Sequence, residues 1–318
     1  MMLRNSGKVF MTNFRVVYKL LLFKVIIGIL LVAIGIAIFL PNLTPVWEDL
    51  KELGVVDMTK EFFEKLTSLS VSNDEVKTLL ADITQLTQTV LAVHSSNLLR
   101  SYIGIGVIIF LAYFFARLGD VPLAVLLHGY MQYQARFSFS SELIGKFVLS
   151  LKYSLMTLCI LLPIDVAIVA LSLFILIGIG GSFAFFSAFF AMLVFILLFA
   201  LRLTFSSVWL PCMIAEERGV VNAFKESLSV LSDRFGMIYS ECLVILIAGI
   251  TLTLAVGVST FGAAIPLLFT AMPVFYLSFG FVAYFGVKGK RYYVDYETIV
   301  TPKKLRDKEL NFKYDLSD

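Results

Sequence analysis

The sequence predicts an all-α integral membrane protein with six transmembrane helices, and three observations carry that expectation. Of 318 residues, 59% are hydrophobic and only 15% are charged, with a mean hydropathy of +0.91; soluble domains hold about 45–50% apolar and about 25% charged residues. Residues 242–287 contain no Asp, Glu, Lys or Arg, and residues 153–201 contain Asp165 alone. A transmembrane helix needs about 20 apolar residues, so each of these runs holds two helices and a turn. The same composition excludes a disordered chain, which cannot leave so much apolar surface in water. Three Cys, all in or beside apolar runs, exclude a disulfide scaffold. A net charge of +3, scattered along the chain, gives no nucleic-acid footprint.

Taken in order, residues 1–19 form a basic leader. Phe10, Phe14, Val17 and Leu21 recur among Lys8, Arg15 and Lys19, which predicts an amphipathic helix over about 8–21. The first span, 20–40, is too long for a signal core and has no A-x-A-like site before Pro41, so it reads as a retained signal anchor. Residues 41–97 form a polar segment with helical patterning. Ser72, Asn73, Asp74 and Glu75 spell a capping box, followed by Val76, Leu79, Leu80, Ile83, Leu86, Val90 and Leu91 on one face. An earlier helix near 57–69 offers Phe62, Phe63, Leu66 and Leu69 to pack against it. The segment reads either as a hairpin closing over its own bundle or as a docking surface.

Residues 98–287 make a five-helix membrane domain with spans near 98–117, 153–177, 182–206, 238–258 and 265–287. Gly178, Gly180, Gly181 and Ser182 mark one tight turn; Gly257, Ser259, Gly262 and Pro266 mark the other. Between spans, three stretches read as interfacial amphipathic helices: 121–135 after Asp120 and Pro122, with Leu123, Leu126, Leu127 and Tyr130; 141–152, with Leu143, Ile144, Phe147 and Leu151; and 219–232, with Val220, Phe224, Leu228 and Leu231 opposite Lys225, Glu226, Ser229 and Ser232. They serve as elbows that orient the next span or as a coupling surface for a cytoplasmic partner. In the fourth span, Ala184, Ser187, Ala188 and Ala191 form a small-residue face suited to close helix packing.

Lysine and arginine concentrate in the leader, in the 117–152 and 202–234 connections, and in the tail, 288–318. The opposite side holds Lys51, Lys60, Lys65 and Lys77 among more numerous acids, with Arg100 at its edge. The positive-inside rule therefore places both termini in the cytoplasm of a bacterial plasma membrane. Trp47 and Trp209 fall where interfacial aromatics belong, and Lys288, Lys290 and Arg291 are placed to meet anionic lipid head groups.

Asp165, two residues after Pro163 in mid-span, is the candidate intramembrane polar site. A charge there costs at least ~2.5–3.5 kcal/mol and must be paired, hydrated or protonated. It reads as a proton- or ion-linked group or as an interhelical bond. Arg202 and Glu241 lie nearer the ends of their spans, where they snorkel or pair with each other. Catalytic, cofactor and metal sites are not expected. Asp165 lacks the second carboxylate of an intramembrane aspartyl protease, and Glu216, Glu217 and Arg218 lack the spacing of prenyl-protease relatives, which need Arg at the position of Val221. His94 and His128 are expected on opposite membrane faces, and Cys159, Cys212 and Cys242 read as packing residues. No G-x-x-x-x-G-K-[ST] loop is present, so any nucleotide hydrolysis belongs to a separate ATPase partner.

From Trp209 to Phe235 the chain carries Pro211, Glu216, Ala223 and Ser227 in the spacing P-x(4)-E-x(6)-A-x(3)-S, followed by the aromatic Phe235. This stretch resembles a pattern in bacterial polytopic membrane proteins related to the membrane domain fused to some glycerophosphodiester phosphodiesterases. The resemblance implies a membrane module without catalytic machinery, since the phosphodiesterase activity resides in a separate soluble domain, and it transfers no catalytic residue. Two functions are expected from the whole: a non-enzymatic membrane protein that handles lipid or small solute or supports an envelope complex, or the membrane subunit of an ATP-driven exporter.

Overall fold

The structure, a computed structural model, describes residues 2–68, 73–178 and 184–301. In chain order its helices are α1 (Met2–Thr12), α2 (Arg15–Glu52), α3 (Val55–Ser68), α4 (Asn73–Val93), α5 (Ser95–Leu118), α6 (Asp120–Tyr133), α7 (Phe139–Gly145), α8 (Phe147–Gly178), α9 (Ala184–Ser207), α10 (Trp209–Ala215), α11 (Val220–Ser232), α12 (Phe235–Ser259) and α13 (Ile265–Lys288). A short antiparallel pair, β1 (Tyr292–Tyr293) and β2 (Ile299–Val300), follows. Among the described residues, six stretches are long and apolar enough to cross a membrane: Arg15–Glu52, Ser95–Tyr133, Phe147–Gly178, Phe186–Ala215, Phe235–Ser259 and Ile265–Lys288. The chain is thus an all-α, multi-pass membrane protein. Leu, Ile, Val and Phe side chains exposed on α2, α5, α8, α9 and α12 give these helices the apolar surface a bilayer requires. The chain divides into two compact units, Ile27–Ala112 and the remainder.

In the smaller unit, α2 runs on past Pro41 and Pro45, until Gly54 at φ +70° turns the chain into α3. Gly104 lies so close to Ile38 that a Cβ would strike its side chain. Asp49 and His94 hydrogen-bond at 2.7 Å, and Asn97 reaches the other ring nitrogen at 3.3 Å. Helix α3 packs on α4. On the α4 stripe Val90 is buried, whereas Leu80 and Leu91 are exposed. Ser72 of the expected capping box and Leu69 lie outside the described residues.

In the larger unit the leader departs from its expected form. The helix expected over 8–21 breaks at Asn13 and Phe14, where the Asn13 side-chain amide and backbone N–H both donate to the Val9 carbonyl. Helix α1 packs along α13, with Phe10 edge-on to Phe275 at 5.8 Å. Asn5 Nδ2 donates to the Tyr292 hydroxyl at 3.1 Å, and Lys8 pairs with Asp295 at 3.1 Å. The Thr298 hydroxyl, then Lys8 and the backbone amides of Thr298 and Glu297, hold the Asp295 carboxyl below the usual carboxylate range. Residues 2–12 and 288–301 are therefore joined, and Tyr292 is buried. The rest of the tail, from Pro302, lies outside the described residues.

Helix α6 is the largest correction. Its expected interfacial face, Leu123, Leu126, Leu127 and Tyr130, is buried, but so are Val121, Pro122, Ala124, Gly129 and Met131 on its other sides. A helix apolar all round belongs in a core, and α6 is enclosed by α7, α8, α10, α13 and β1. The helix expected over 141–152 is two helices, since the chain breaks at Lys146 between α7 and α8. Helix α11 is rotated from its expected face. Val220, Ala223, Ser227, Val230 and Leu231 are buried, Phe224 is half-buried and Leu228 is exposed. On α9, Ser187 and Ala191 are buried and Ala188 is exposed, and the helix packs on α8 and α12 of the same chain. The turn residues Gly180, Gly181 and Ser182 lie outside the described residues.

Helix α13 closes over this layer, with Ser278 to Phe285 buried without interruption. Gly280 makes the contact possible: a Cβ at this position would collide with the Ser207 carbonyl and crowd Pro211 Cγ at 3.3 Å. Backbone cannot yield as a flexible side chain can. Gly280→Ala should therefore lower stability by about 1–3 kcal/mol, whereas Gly286→Ala, which meets only Met2 Cε at an ordinary 3.7 Å, should be close to neutral. Thermal unfolding in detergent measures both, and equal midpoints would contradict this packing.

Candidate functional site

Asp165 and Arg202 meet in the interior of the larger unit. Arg202 Nε donates to Asp165 Oδ1 at 2.8 Å and Nη2 donates to Oδ2 at 2.8 Å, a two-pronged fit of guanidinium to carboxylate. Tyr113 of α5 joins them: its hydroxyl accepts from Arg202 Nη2 at 3.0 Å and donates to Asp165 Oδ2 at 3.1 Å. The Arg202 side chain is only 4% exposed and Asp165 20%. The expected pairing of Arg202 with Glu241 is thereby corrected, because Arg202 belongs to Asp165. Glu241, on α12, keeps one carboxylate oxygen buried without a hydrogen-bond partner. Of the alternatives open for Asp165, the structure shows the interhelical bond. Helices α8 and α9 pack along one another, which brings together two residues 37 positions apart in the sequence.

A second ion pair continues this polar seam. Arg117, one turn along α5 from Tyr113, pairs with Asp120 at 3.2 Å and lies 5.4 Å over the Tyr113 ring. Both charged groups line a cavity of about 40 Å³ together with Tyr153, Ser206, Ser207 and Tyr276. Such a space accommodates a water with several polar partners. Ser206 and Tyr276 hydrogen-bond at 3.0 Å across its wall. Each arginine in this seam has its own aspartate, so the seam has no net charge.

Four of the pattern residues, Pro211, Glu216, Ala223 and Ser227, fall on α10, α11 and the elbow between them, and the fifth, Phe235, opens α12. Pro211 lies under Gly280. Glu217 takes a left-handed conformation (φ 51°), with its N–H directed to the Ile214 carbonyl and the Arg218 N–H to the Met213 carbonyl. This is a Schellman ending with glutamate where glycine is commonest. Ala223 is fully buried, and Ser227 is buried with its hydroxyl donating to the Phe224 carbonyl at 2.7 Å. Phe235 packs beside Phe205 and Tyr239 at 5.7 and 6.2 Å. Trp209 is not interfacial: it is fully buried, donates Nε1–H to the Val220 carbonyl at 2.9 Å, and lies between Tyr153 and Phe224.

Glu216 ties this elbow to the end of α13. Tyr284 donates its hydroxyl to Glu216 Oε1; Arg218 stands 3.2 Å from Oε2 and Lys288 3.5 Å from Oε1. Arg218 also pairs with Glu226, which Lys288 meets at 2.8 Å. Lys288 is thus engaged with carboxylates of the protein, where the sequence placed it against lipid phosphates. The Tyr284 hydroxyl, followed by Lys288, Lys290 and Arg218, holds the Glu216 carboxyl below its ordinary value despite partial burial. His94 and His128 belong to different units, and no metal-binding cluster occurs among the described residues. Cys212 and Cys242 are buried, and Cys159 is exposed.

A further feature had no counterpart in the sequence reading. A cavity of about 460 Å³ lies between α1, α12 and α13, walled almost wholly by apolar side chains including Phe10, Phe14, Val244, Met272 and Phe275. The fold and these sites define a polytopic helical membrane protein in whose interior Asp165 pairs with Arg202 and Asp120 with Arg117. No protein family, curated protein or solved structure matches the chain. The resemblance to the membrane domain of glycerophosphodiester phosphodiesterases accordingly rests on Pro211, Glu216, Ala223, Ser227 and Phe235 alone.

Because folding lowers the Glu216 pKa, the ionised form stabilises the native state. That contribution is complete above the ordinary carboxylate value of 4.5 and is lost as pH falls through the lower folded value. Glu216→Gln should lower stability at neutral pH by about 1 kcal/mol, the scale of a partly exposed pair, and should flatten the acid limb of the melting profile. An acid limb identical to that of the unaltered protein would show that Glu216 gains nothing from its partners.

Proposed function

We propose that this chain is a non-enzymatic, lipid-handling protein of the bacterial plasma membrane, with both termini in the cytoplasm. The observation that carries the reading is the apolar cavity between α1, α12 and α13. Its volume of about 460 Å³ lies within the roughly 300–1,000 Å³ range of ligand pockets. Its walls offer an acyl chain dispersion contacts and offer a polar solute almost no hydrogen bond. The interior ion pairs favour the same reading, since Asp165 and Asp120 are each committed to an arginine. The junction of α1 with the segment after α13 supports placing both ends of the chain on one side of the membrane, and the positive-inside distribution favours the cytoplasm. The exporter-subunit reading rests on the leader, the segment after the first span, the six spans and coupling-type inner helices; of these inner helices, α6 is enclosed within the chain.

Native mass spectrometry of the protein purified in mild detergent tests this function. The protein should retain a lipid that the cavity-filling variant Ala248→Phe/Ala271→Phe does not, with both forms melting at similar temperatures. Equal retention by the two forms would remove the cavity from the account.

A further inference from the structure

Two hollows adjoin at the start of α11, where both are lined by Gly219 and Asn222, and one of them reaches α8. The polar one, about 580 Å³, is lined by Arg218, Gly219, Asn222, Lys225 and Glu226. The apolar one, about 460 Å³, shares Gly219 and Asn222 with it and runs along α8 past Lys152, Leu155, Met156 and Cys159. Charge is distributed unevenly around them. Arg218 is committed to Glu216 and Glu226, and Glu226 also meets Lys288. Those two acids and two cations balance one another. Lys152 and Lys225 have no ion-pair or hydrogen-bond partner among the described residues, and both are exposed. The joined hollow therefore has an uncompensated cationic end and an apolar end, and the apolar end lies on a membrane-spanning helix.

We propose that this hollow binds an anionic phospholipid. The phosphate lies between the Lys152 and Lys225 ammonium groups, the Asn222 amide donates to the head group, and one acyl chain follows Leu155, Met156 and Cys159 along α8. A soluble anion would leave the apolar half in contact with water, and a zwitterionic lipid would bring its own cation to a cationic site. An anionic phospholipid satisfies both halves, and it is already the solvent of this helix. The site shares no lining residue with the acyl cavity between α1, α12 and α13, so the proposal stands or falls separately from the proposed function.

The protein carries its own reporter, because Cys159 is exposed in the apolar half while Cys212 and Cys242 are buried. The rate of N-ethylmaleimide alkylation at Cys159 is measured on the full chain in uncharged detergent micelles, with added phosphatidylglycerol, phosphatidylcholine or glycerol 3-phosphate. Phosphatidylglycerol should protect Cys159 saturably, at roughly one-tenth or less of the phosphatidylcholine concentration, given the attraction of two lysines for an anionic lipid. Glycerol 3-phosphate alone should leave the rate unchanged. Lys152→Gln/Lys225→Gln should abolish the preference while leaving the lipid-free alkylation rate and the melting temperature as they were. Equal protection by phosphatidylcholine, protection by glycerol 3-phosphate, or a preference that survives the double substitution would each overturn the proposal. Lipid retention in the Ala248→Phe/Ala271→Phe variant is read by mass and does not depend on these lysines.

Discussion

A guanidinium and a carboxylate among apolar helices have only each other, and the larger unit is arranged to bring them together. Arg202 and Asp165 form two parallel hydrogen bonds, and Tyr113 supplies a third helix's contribution to the same cluster. In lipid, helices gain little from apolar contact with one another, because acyl chains are equally apolar; packing and interhelical hydrogen bonds must select the arrangement. The cluster links α5, α8 and α9. Arg117 and Asp120 extend it toward α6, and Ser206 and Tyr276 extend it toward α13. Five helices are thereby referred to one polar seam. Removing one partner from such a pair leaves a bare charge in the interior, which is far costlier than the pair itself is stabilising.

Around that seam the chain builds a second layer from short helices. Helix α10 reverses into α11 through a left-handed glutamate, Trp209 fastens the reversal with its indole N–H, and α13 descends over it through the gap left by Gly280. The Glu216, Arg218, Glu226 and Lys288 cluster then joins the elbow to the end of α13. This gives the spacing of the pattern a physical content: Pro211 lies under Gly280 and Glu216 binds Tyr284 and Lys288 of α13, while Ala223 and Ser227 are small residues buried on α11. The pattern is an architectural one.

Much of this architecture is legible in the sequence, and the failures share a cause. Charge-free runs locate the six spans because the cost of burying a charge in lipid is severe and local. The short helices are harder, because amphipathicity read from four apolar residues does not reveal what covers the remaining faces. Helix α6 shows this: Leu123, Leu126, Leu127 and Tyr130 look like one lipid-facing stripe until Val121, Ala124 and Met131 are found buried too. Trp209 fails similarly, since an indole with a hydrogen-bond partner inside the protein has no need of the interface. Nearness to a span end points Arg202 toward the interface, whereas the packing of α8 against α9 governs its partner. Tyr113 comes from a distant helix, and nothing in the local sequence announces it.

The central claim is that Asp165 and Arg202 exist for each other. A double-mutant cycle with Asp165→Ala, Arg202→Ala and the combined variant, followed by unfolding in detergent or bicelles, addresses it most directly. Each single change should destabilise by about 3–5 kcal/mol, as expected when one member of a buried pair is removed. The combined variant should cost clearly less than the two losses added together, and should accumulate in the membrane better than either single variant, because no charge is then left bare. Additive losses within ~0.5 kcal/mol would contradict the account, since they would mean that the two side chains act independently and that something other than their pairing holds the seam together.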